Sequence, residues 1–222
     1  PERVVGMLHY NGGAEEYAPM ERIIAQRIVA EKYQIAAPYI LDVSRLEPHK
    51  NVSALVSAYI CLRDSHPERR EKLVIVGATR HRGEETIALA KSSRYAGDMQ
   101  FVRSVRQEDM NALYAAAELF VFPALNESFG RPVIEALAAG TPTITSNVTS
   151  LPEVAGGAAV LADPENICEI AEAMQRVLSD GELRKEMVVK GLERAKEFTW
   201  DRGAEEVKAL YRKVVGRQSV LD

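Results

Sequence analysis

From Pro38 onward the chain repeats one pattern: a short apolar run, a polar turn, then a stretch with apolar residues at helical spacing. The runs are YILDVS, KLVIVGA, MQFVRS, ELFVFPA, TPTITSN and AAVLADP, and helical patterns such as NVSALVSAYICLRD, EETIALAKS and EDMNALYAAA separate them. Runs that are apolar at consecutive positions suit strands buried on both faces, the situation of a parallel sheet. Parallel strands joined through helices cross over right-handed. The pattern therefore predicts an α/β fold, a doubly wound, Rossmann-like parallel sheet of six strands in the order 3-2-1-4-5-6.

In a sheet of that order ligands bind beyond the carboxyl ends of the strands where the order reverses, here between the first and fourth strands. The first run ends at Ser44-Arg45 and the fourth just before Glu127, so the loops SRLEPHKN and ALNESFG should face one crevice. Arg45 and Lys50 put two cations on the first loop, and Asn51 is placed to cap the helix that follows. Two charges on a loop, taken alone, read first as a solvated surface pair. At a switch point they suit a diphosphate, Arg by forked hydrogen bonds and Lys as a point charge.

The second loop leads into RPVIEALAAG, with Pro132 in the first helical turn and Gly140 and Pro142 as stop signals. The amides of Ser128, Phe129, Gly130 and Arg131 then stand as donors at the positive end of that helix. Glu127 precedes the helix and Glu135 is expected in its first turn, so that both carboxylates reach one pocket. There they would accept hydrogen bonds from a polyhydroxyl ligand, while Gly130 lets that ligand approach the backbone. On the helix alone, the same carboxylates serve equally well to complement its dipole, with Ser128 as a plain N-cap.

Seven residues separate Glu127 from Glu135, and within FVFPALNESFGRPVIEALAAGTPTI the pair closely resembles the E-x7-E signature of glycosyltransferase family 4. These are retaining enzymes of the GT-B fold that use nucleotide-sugar donors. The resemblance runs from about Pro38 to about Val215. It includes SLPEVAGG and SRLEPHKN, the latter similar to the family's GRL-x3-KN string with Ser44 where Gly is usual. It implies that Arg45 and Lys50 bind the donor diphosphate and neutralise the leaving group. Glu127, with the amides of Ser128, Phe129 and Gly130, would orient the donor sugar, and Glu135 would hold the ribose hydroxyls. The backbone at Gly77 would approach the nucleotide and Val105 would pack on the base.

The resemblance further implies transfer of a hexose to a glycan or lipid-linked acceptor, with no cofactor and no metal. The E-S-F-G-x-P-V-I-E block and SLPEVAGG most resemble those of GDP-mannose users, but UDP-glucose users share nearly all of both, so a UDP-glucose-type transferase is the alternative. By the same resemblance residues 1–37, with RVVGMLHY as a strand and Asn11-Gly12 as a turn, form the tail of an acceptor domain and a linker. Residues 38–198 form the donor-binding domain, and 199–222 a helix crossing toward an N-terminal acceptor domain that this chain lacks. The chain is thus expected to be the C-terminal half of a GT-B enzyme, binding nucleotide but inactive alone, with any peripheral membrane contact left to the other half. A nucleotide-sugar binding module and an epimerase of related fold are the competing readings.

Other classes find little support. With 222 residues, 46% of them hydrophobic, and a net charge of −4, there is enough chain for one core and no basic excess for nucleic acid. No apolar span has membrane length and no signal peptide is recognisable, so a soluble cytoplasmic protein is expected. Cys61 and Cys168 lack CxxC spacing and are expected to be isolated, buried, free thiols. GxGxxG, HExxH and P-loop strings are absent. His49, Arg80, His81 and Arg82 are read as solvated loop residues, Glu153 as a partner for backbone amides of its own loop, and Trp200 as packing in the core or a domain seam.

Overall fold

The computed structural model describes residues 13–80 and 82–218, with side chains as far as Val214. The expected strand in RVVGMLHY, the Asn11-Gly12 turn and His81 lie outside the described residues. Six strands, β1 (Tyr39–Val43), β2 (Lys72–Val76), β3 (Met99–Val102), β4 (Leu119–Phe122), β5 (Thr143–Ser146) and β6 (Val160–Ala162), form one sheet in the order β3-β2-β1-β4-β5-β6. Every pairing is parallel. This is the predicted order, and it leaves the carboxyl ends of β1 and β4 side by side.

The helices are α1 (Arg22–Tyr33), α2 (Val52–Ser65), α3 (Gly83–Ser92), α4 (Gln107–Ala116), α5 (Arg131–Ala138), α6 (Leu151–Ala155), α7 (Ile167–Ser179), α8 (Gly181–Ala195) and α9 (Trp200–Gln218). Successive strand residues point to opposite faces, and this alternation builds two cores. Tyr39, Leu41, Val74, Val76, Phe120 and Phe122 pack with Leu113, Tyr114, Val133, Leu137 and Phe198. Ile40, Leu73, Ile75, Leu119, Val121 and Ile144 pack with Leu55, Tyr59, Met174 and Val177. Both faces of the central strands are covered, which is why β1, β2 and β4 are apolar at nearly every position.

The segment before β1 packs on this body. Tyr17, Ala25, Val29 and Ile35 are buried in the first core. Asp109 of α4 accepts from Lys32 Nζ at 2.6 Å and from the Tyr33 hydroxyl at 2.7 Å, fastening the end of α1. At the other end of the chain α9 leaves Trp200, Tyr211 and Val214 exposed. Trp200 is 51% exposed, so it is not a core residue; its amide donates to Glu15 Oε1 at 3.0 Å.

The two cysteines depart from expectation. Cys61 is half-buried on α2, whereas Cys168 is exposed on α7. Both nevertheless line one cleft between α2 and α7. Packing of α2 on α7 brings together two residues whose separation in the sequence gives no sign of a pair.

Candidate functional site

Because β1 and β4 are neighbours, the loops that leave them must run side by side, and three contacts join them. The Leu125 amide donates to the His49 carbonyl at 2.9 Å. Asn51 Nδ2 donates to the Pro123 carbonyl at 3.1 Å, and also to that of Pro164 at 2.7 Å. Lys50 Nζ forms an ion pair with Glu127 Oε2.

Asn51 therefore does not cap α2 as expected. It stands at the N-cap position with a φ of 58° and makes no side-chain cap bond. Asn tolerates this left-handed conformation better than most residues, and its amide is spent on carbonyls just past the ends of β4 and β6.

Lys50 and Glu127 are both sheltered, at 13% and 16% side-chain exposure, and the ammonium lies 5.4 Å from the centre of the Phe122 ring. Arg45, by contrast, is 59% exposed and reaches Glu47 at 3.4 Å. His49 lies 3.6 Å from the same carboxylate. Of the two predicted cations, Lys50 is at the floor of the crevice and Arg45 at its rim. Glu47, to which the sequence reading assigned no role, faces Arg45.

Glu135 lies elsewhere on α5 than predicted. The helix begins at Arg131, so Glu135 is its fifth residue and belongs to the second turn. Its carboxylate accepts from the Tyr114 hydroxyl at 2.8 Å and stands 3.5 Å from Arg131 Nη2. Burial pushes the Glu135 carboxyl up, against the opposing pull of the Tyr114 hydroxyl and Arg131. Tyr17 packs edge-on to Tyr114 at 5.8 Å, and burial together with the Glu135 charge pushes its hydroxyl up to about 12. The two carboxylates of the signature thus have separate partners, Lys50 for Glu127 and Tyr114 with Arg131 for Glu135. Tyr114 itself is fully buried on α4, and its hydroxyl is the polar tip that reaches Glu135 from among the apolar residues of that helix.

The loop between the carboxylates is braced from β5 and the turn after it. Ser146 Oγ donates to the Ala124 carbonyl at 2.7 Å. Ser150 Oγ lies 2.8 Å from the Glu127 carbonyl and 3.1 Å from that of Phe129, sharing its one proton between them. Ser128 is exposed and is not the cap; Gly130 takes that position with a φ of 100°. A Cβ on Gly130 would stand 2.6 Å from Leu151 Cδ2. That flank is filled by α6, so the left-handed turn and not an open approach from that side is what calls for glycine. The Phe129 ring is set edge-on against Phe198 at 5.8 Å.

Gly77 ends β2 where the backbone of β1 comes close. A Cβ there would lie 1.9 Å from the Ser44 carbonyl oxygen. With Leu46, Thr79, Phe101 and Arg103 it lines a cleft of 470 Å³ beyond β2 and β3. Val105 is half-buried against the first core and does not line that cleft. Arg82 pairs with Glu85 at 2.9 Å in solvent, as a loop charge should.

Asp42, the one carboxylate within the run YILDV, stands beside this crevice on β1 and has no counterpart among the predicted site residues. It is fully buried on β1, with Oδ2 accepting from Ser44 Oγ at 2.6 Å and Oδ1 without a hydrogen-bond partner among the described residues. Burial pushes the carboxyl up to about 7 from its ordinary 3.8, while the Ser44 hydroxyl and the Lys50 charge pull the other way. The unfolded chain releases this proton near 3.8 and the folded chain holds it to about 7. Between those values unfolding releases a proton, so this group's contribution to stability falls as pH rises and is lost above the folded value. Asp42→Asn cannot ionise. The variant should gain about 2–4 kcal/mol over the parent at pH ~8 and lose the slope between pH ~4 and ~7. Urea unfolding across that range measures this; equal slopes in both proteins would show that Asp42 does not ionise there.

A family model described as "Glycosyl transferases group 1" matches residues 27–194. The chain is 36% identical over 174 residues to O-antigen chain mannosyltransferase B of Escherichia coli, covering 78% of this chain and 45% of that protein. It is 31% identical over 185 residues to a D-inositol 3-phosphate glycosyltransferase of Corynebacterium diphtheriae, covering 81% and 42%. Sucrose-phosphate synthase from Thermosynechococcus elongatus superimposes with a TM-score of 0.78 at 26% identity, over 94% of this chain and 52% of that one. The C-terminal domain of a glycosyl transferase group 1 family protein from Francisella tularensis shares the fold, with a TM-score of 0.70 at 20% identity over 82% and 95%. The chain thus spans less than half the length of these curated relatives. Lys50, Glu127 and Glu135 all fall within the matched residues, at the switch point of a sheet shared with solved glycosyltransferase structures, and the chain belongs to the group 1 glycosyltransferases.

Proposed function

We propose that this chain is the donor-binding part of a retaining hexosyltransferase, taking mannose from GDP-mannose for transfer to a glycan or lipid-linked acceptor. The observation that supports it most is the sheltered Lys50–Glu127 pair between the carboxyl ends of β1 and β4. In this reading an incoming diphosphate competes with Glu127 for Lys50. The ammonium turns to the phosphate, Arg45 joins it from the rim, and Glu127 is released to accept hydrogen bonds from the hydroxyls of the sugar. The two cations then meet the charge that develops on the leaving diphosphate, so no metal is required for that step. Glu135, steadied by Tyr114, takes the ribose hydroxyls. The amides of Ser128, Phe129 and Gly130 face the sugar, and the cleft beside Gly77 receives the nucleoside.

Mannose as the donor sugar is supported by the mannosyltransferases among the relatives. The acceptor would be held by a further N-terminal domain, toward which residues 199–222 would cross; the relatives' greater length supports this. No helix among the described residues is long and apolar enough to cross a membrane. We place the reaction in the cytoplasm, with any membrane contact made through the acceptor domain.

Calorimetry with GDP, UDP and ADP tests the donor directly, GDP being expected to bind tightest. The carboxylates should then separate. Glu135→Ala removes an acceptor of ribose hydroxyls and should weaken bare GDP by about 1–2 kcal/mol. Glu127→Ala removes the competitor for Lys50, so bare GDP should bind as well or better while GDP-mannose binds more weakly. Equal losses for both ligands in both variants would mean that the carboxylates only hold the loop.

A further inference from the structure

Away from the crevice a second cleft, of 320 Å³, opens between α2 and α7. Cys61 and Cys168 both line it, together with His66, Glu172 and Arg176. Cys61 is the tenth residue of α2 and Cys168 the second of α7, and the packing of these two helices sets both at the wall of the one cleft. Donor binding uses neither thiol. No group of three or more His, Cys, Asp or Glu that could hold a metal ion exists among the described residues, so the pair is not the visible half of a metal site.

We propose that Cys61 and Cys168 form a paired-thiol site that closes into a disulfide by exchange with a low-molecular-weight disulfide. The two thiols differ in the way that a two-step exchange requires. Cys168 is exposed and meets the reagent first. Its thiolate attacks one sulfur of the small disulfide, that S–S bond breaks, and the departing thiolate takes up the proton that Cys168 gave. Cys61 is half-buried, and burial pushes its thiol up, which keeps it protonated and out of the first step. It acts second, its thiolate attacking Cys168 Sγ and expelling the remaining small thiolate, which is protonated in turn. Two protein thiols are oxidised to one disulfide and one small disulfide is reduced to two thiols, so atoms and electrons balance. The cleft gives the reagent room at Cys168, and Arg176 stands at its wall to meet a carboxylate of the reagent.

The bond would tie α2 to α7 across a long stretch of chain. At the start of α2, Asn51 already bridges to Pro164, just before α7. A cross-link between the same two helices reinforces that contact and constrains the unfolded chain.

The test is incubation of the purified chain with oxidised glutathione, read by intact mass and by peptide mapping without reduction. The expected product has lost two hydrogen atoms, carries no glutathione, and yields one peptide joining Cys61 to Cys168. Its thermal midpoint should rise and return to the starting value with dithiothreitol. Cys61→Ser should stop at the first step and retain one glutathione on Cys168. Cys168→Ser should react far more slowly than the parent and show no rise in midpoint. A parent protein that keeps glutathione on Cys168, or that cross-links between two copies, would overturn the proposal. Since donor binding is not measured, this outcome stands apart from that of the nucleotide titrations.

Discussion

Lys50→Ala should weaken binding of a nucleoside diphosphate by about 2–5 kcal/mol, a loss on the order of thirtyfold to several thousandfold. The size follows from where the charge sits. A cation with 13% side-chain exposure is poorly screened by water, so an anion that reaches it gains more than it would from a surface lysine. The same argument ranks the two cations: Arg45 is 59% exposed, and Arg45→Ala should cost only about 1 kcal/mol. Lys50→Ala also strands Glu127 without its partner, so some loss of stability should accompany the loss of binding. Calorimetric titration of GDP into both variants, with folding checked by circular dichroism, decides the matter. Unchanged affinity in a folded Lys50→Ala protein would remove the diphosphate from this crevice.

The second large effect is on folding. Gly77→Ala puts a methyl 1.9 Å from the Ser44 carbonyl oxygen and 2.6 Å from its carbon. Both are backbone atoms, so no rotamer change relieves the clash. The strands themselves would have to separate, at the point where the Ser44 amide donates to Val76 at 3.0 Å and the Gly77 amide donates to Val102 at 2.9 Å. A loss of about 4 kcal/mol or more is expected, a large share of the ~5–15 kcal/mol by which domains are stable. In a chain of this size that corresponds to a fall of roughly 8–16 °C in Tm. A thermal midpoint within about two degrees of the parent would show that the two loops slide past each other freely. Such a result would also leave open the approach to the nucleotide that the family resemblance assigns to this glycine.

Much of this protein was legible in the sequence, for a definite reason. Continuous apolar runs of strand length alternating with helical periodicity have few compact solutions, because each strand must be covered on both faces and each crossover must keep one hand. The order of six strands followed, and with it the position of SRLEPHKN opposite ALNESFG. The spacing of Glu127 and Glu135 within its surrounding string was enough to point to the family. These are properties of neighbouring residues and of local period.

Pairings between distant residues are another matter, since side-chain partners depend on helix rotation and loop path, which no local pattern encodes. The sequence allowed Lys50 and Glu127 to meet but did not require it. Asn51 was placed correctly at the start of α2, yet its amide donates to Pro123 and Pro164, because packing brings the turns after β4 and β6 within its reach. Glu135 falls in the second turn because the helix opens at Arg131, one residue earlier than Pro132 suggested, and there it meets Tyr114 of α4. Cys61 and Cys168 became neighbours only through the packing of α2 on α7. The sequence by itself thus determined the sheet, its switch point and the residue types gathered there. The tertiary structure alone decided which charges are sheltered and which groups touch, because burial and contact between elements far apart in the chain exist only once the layers are packed.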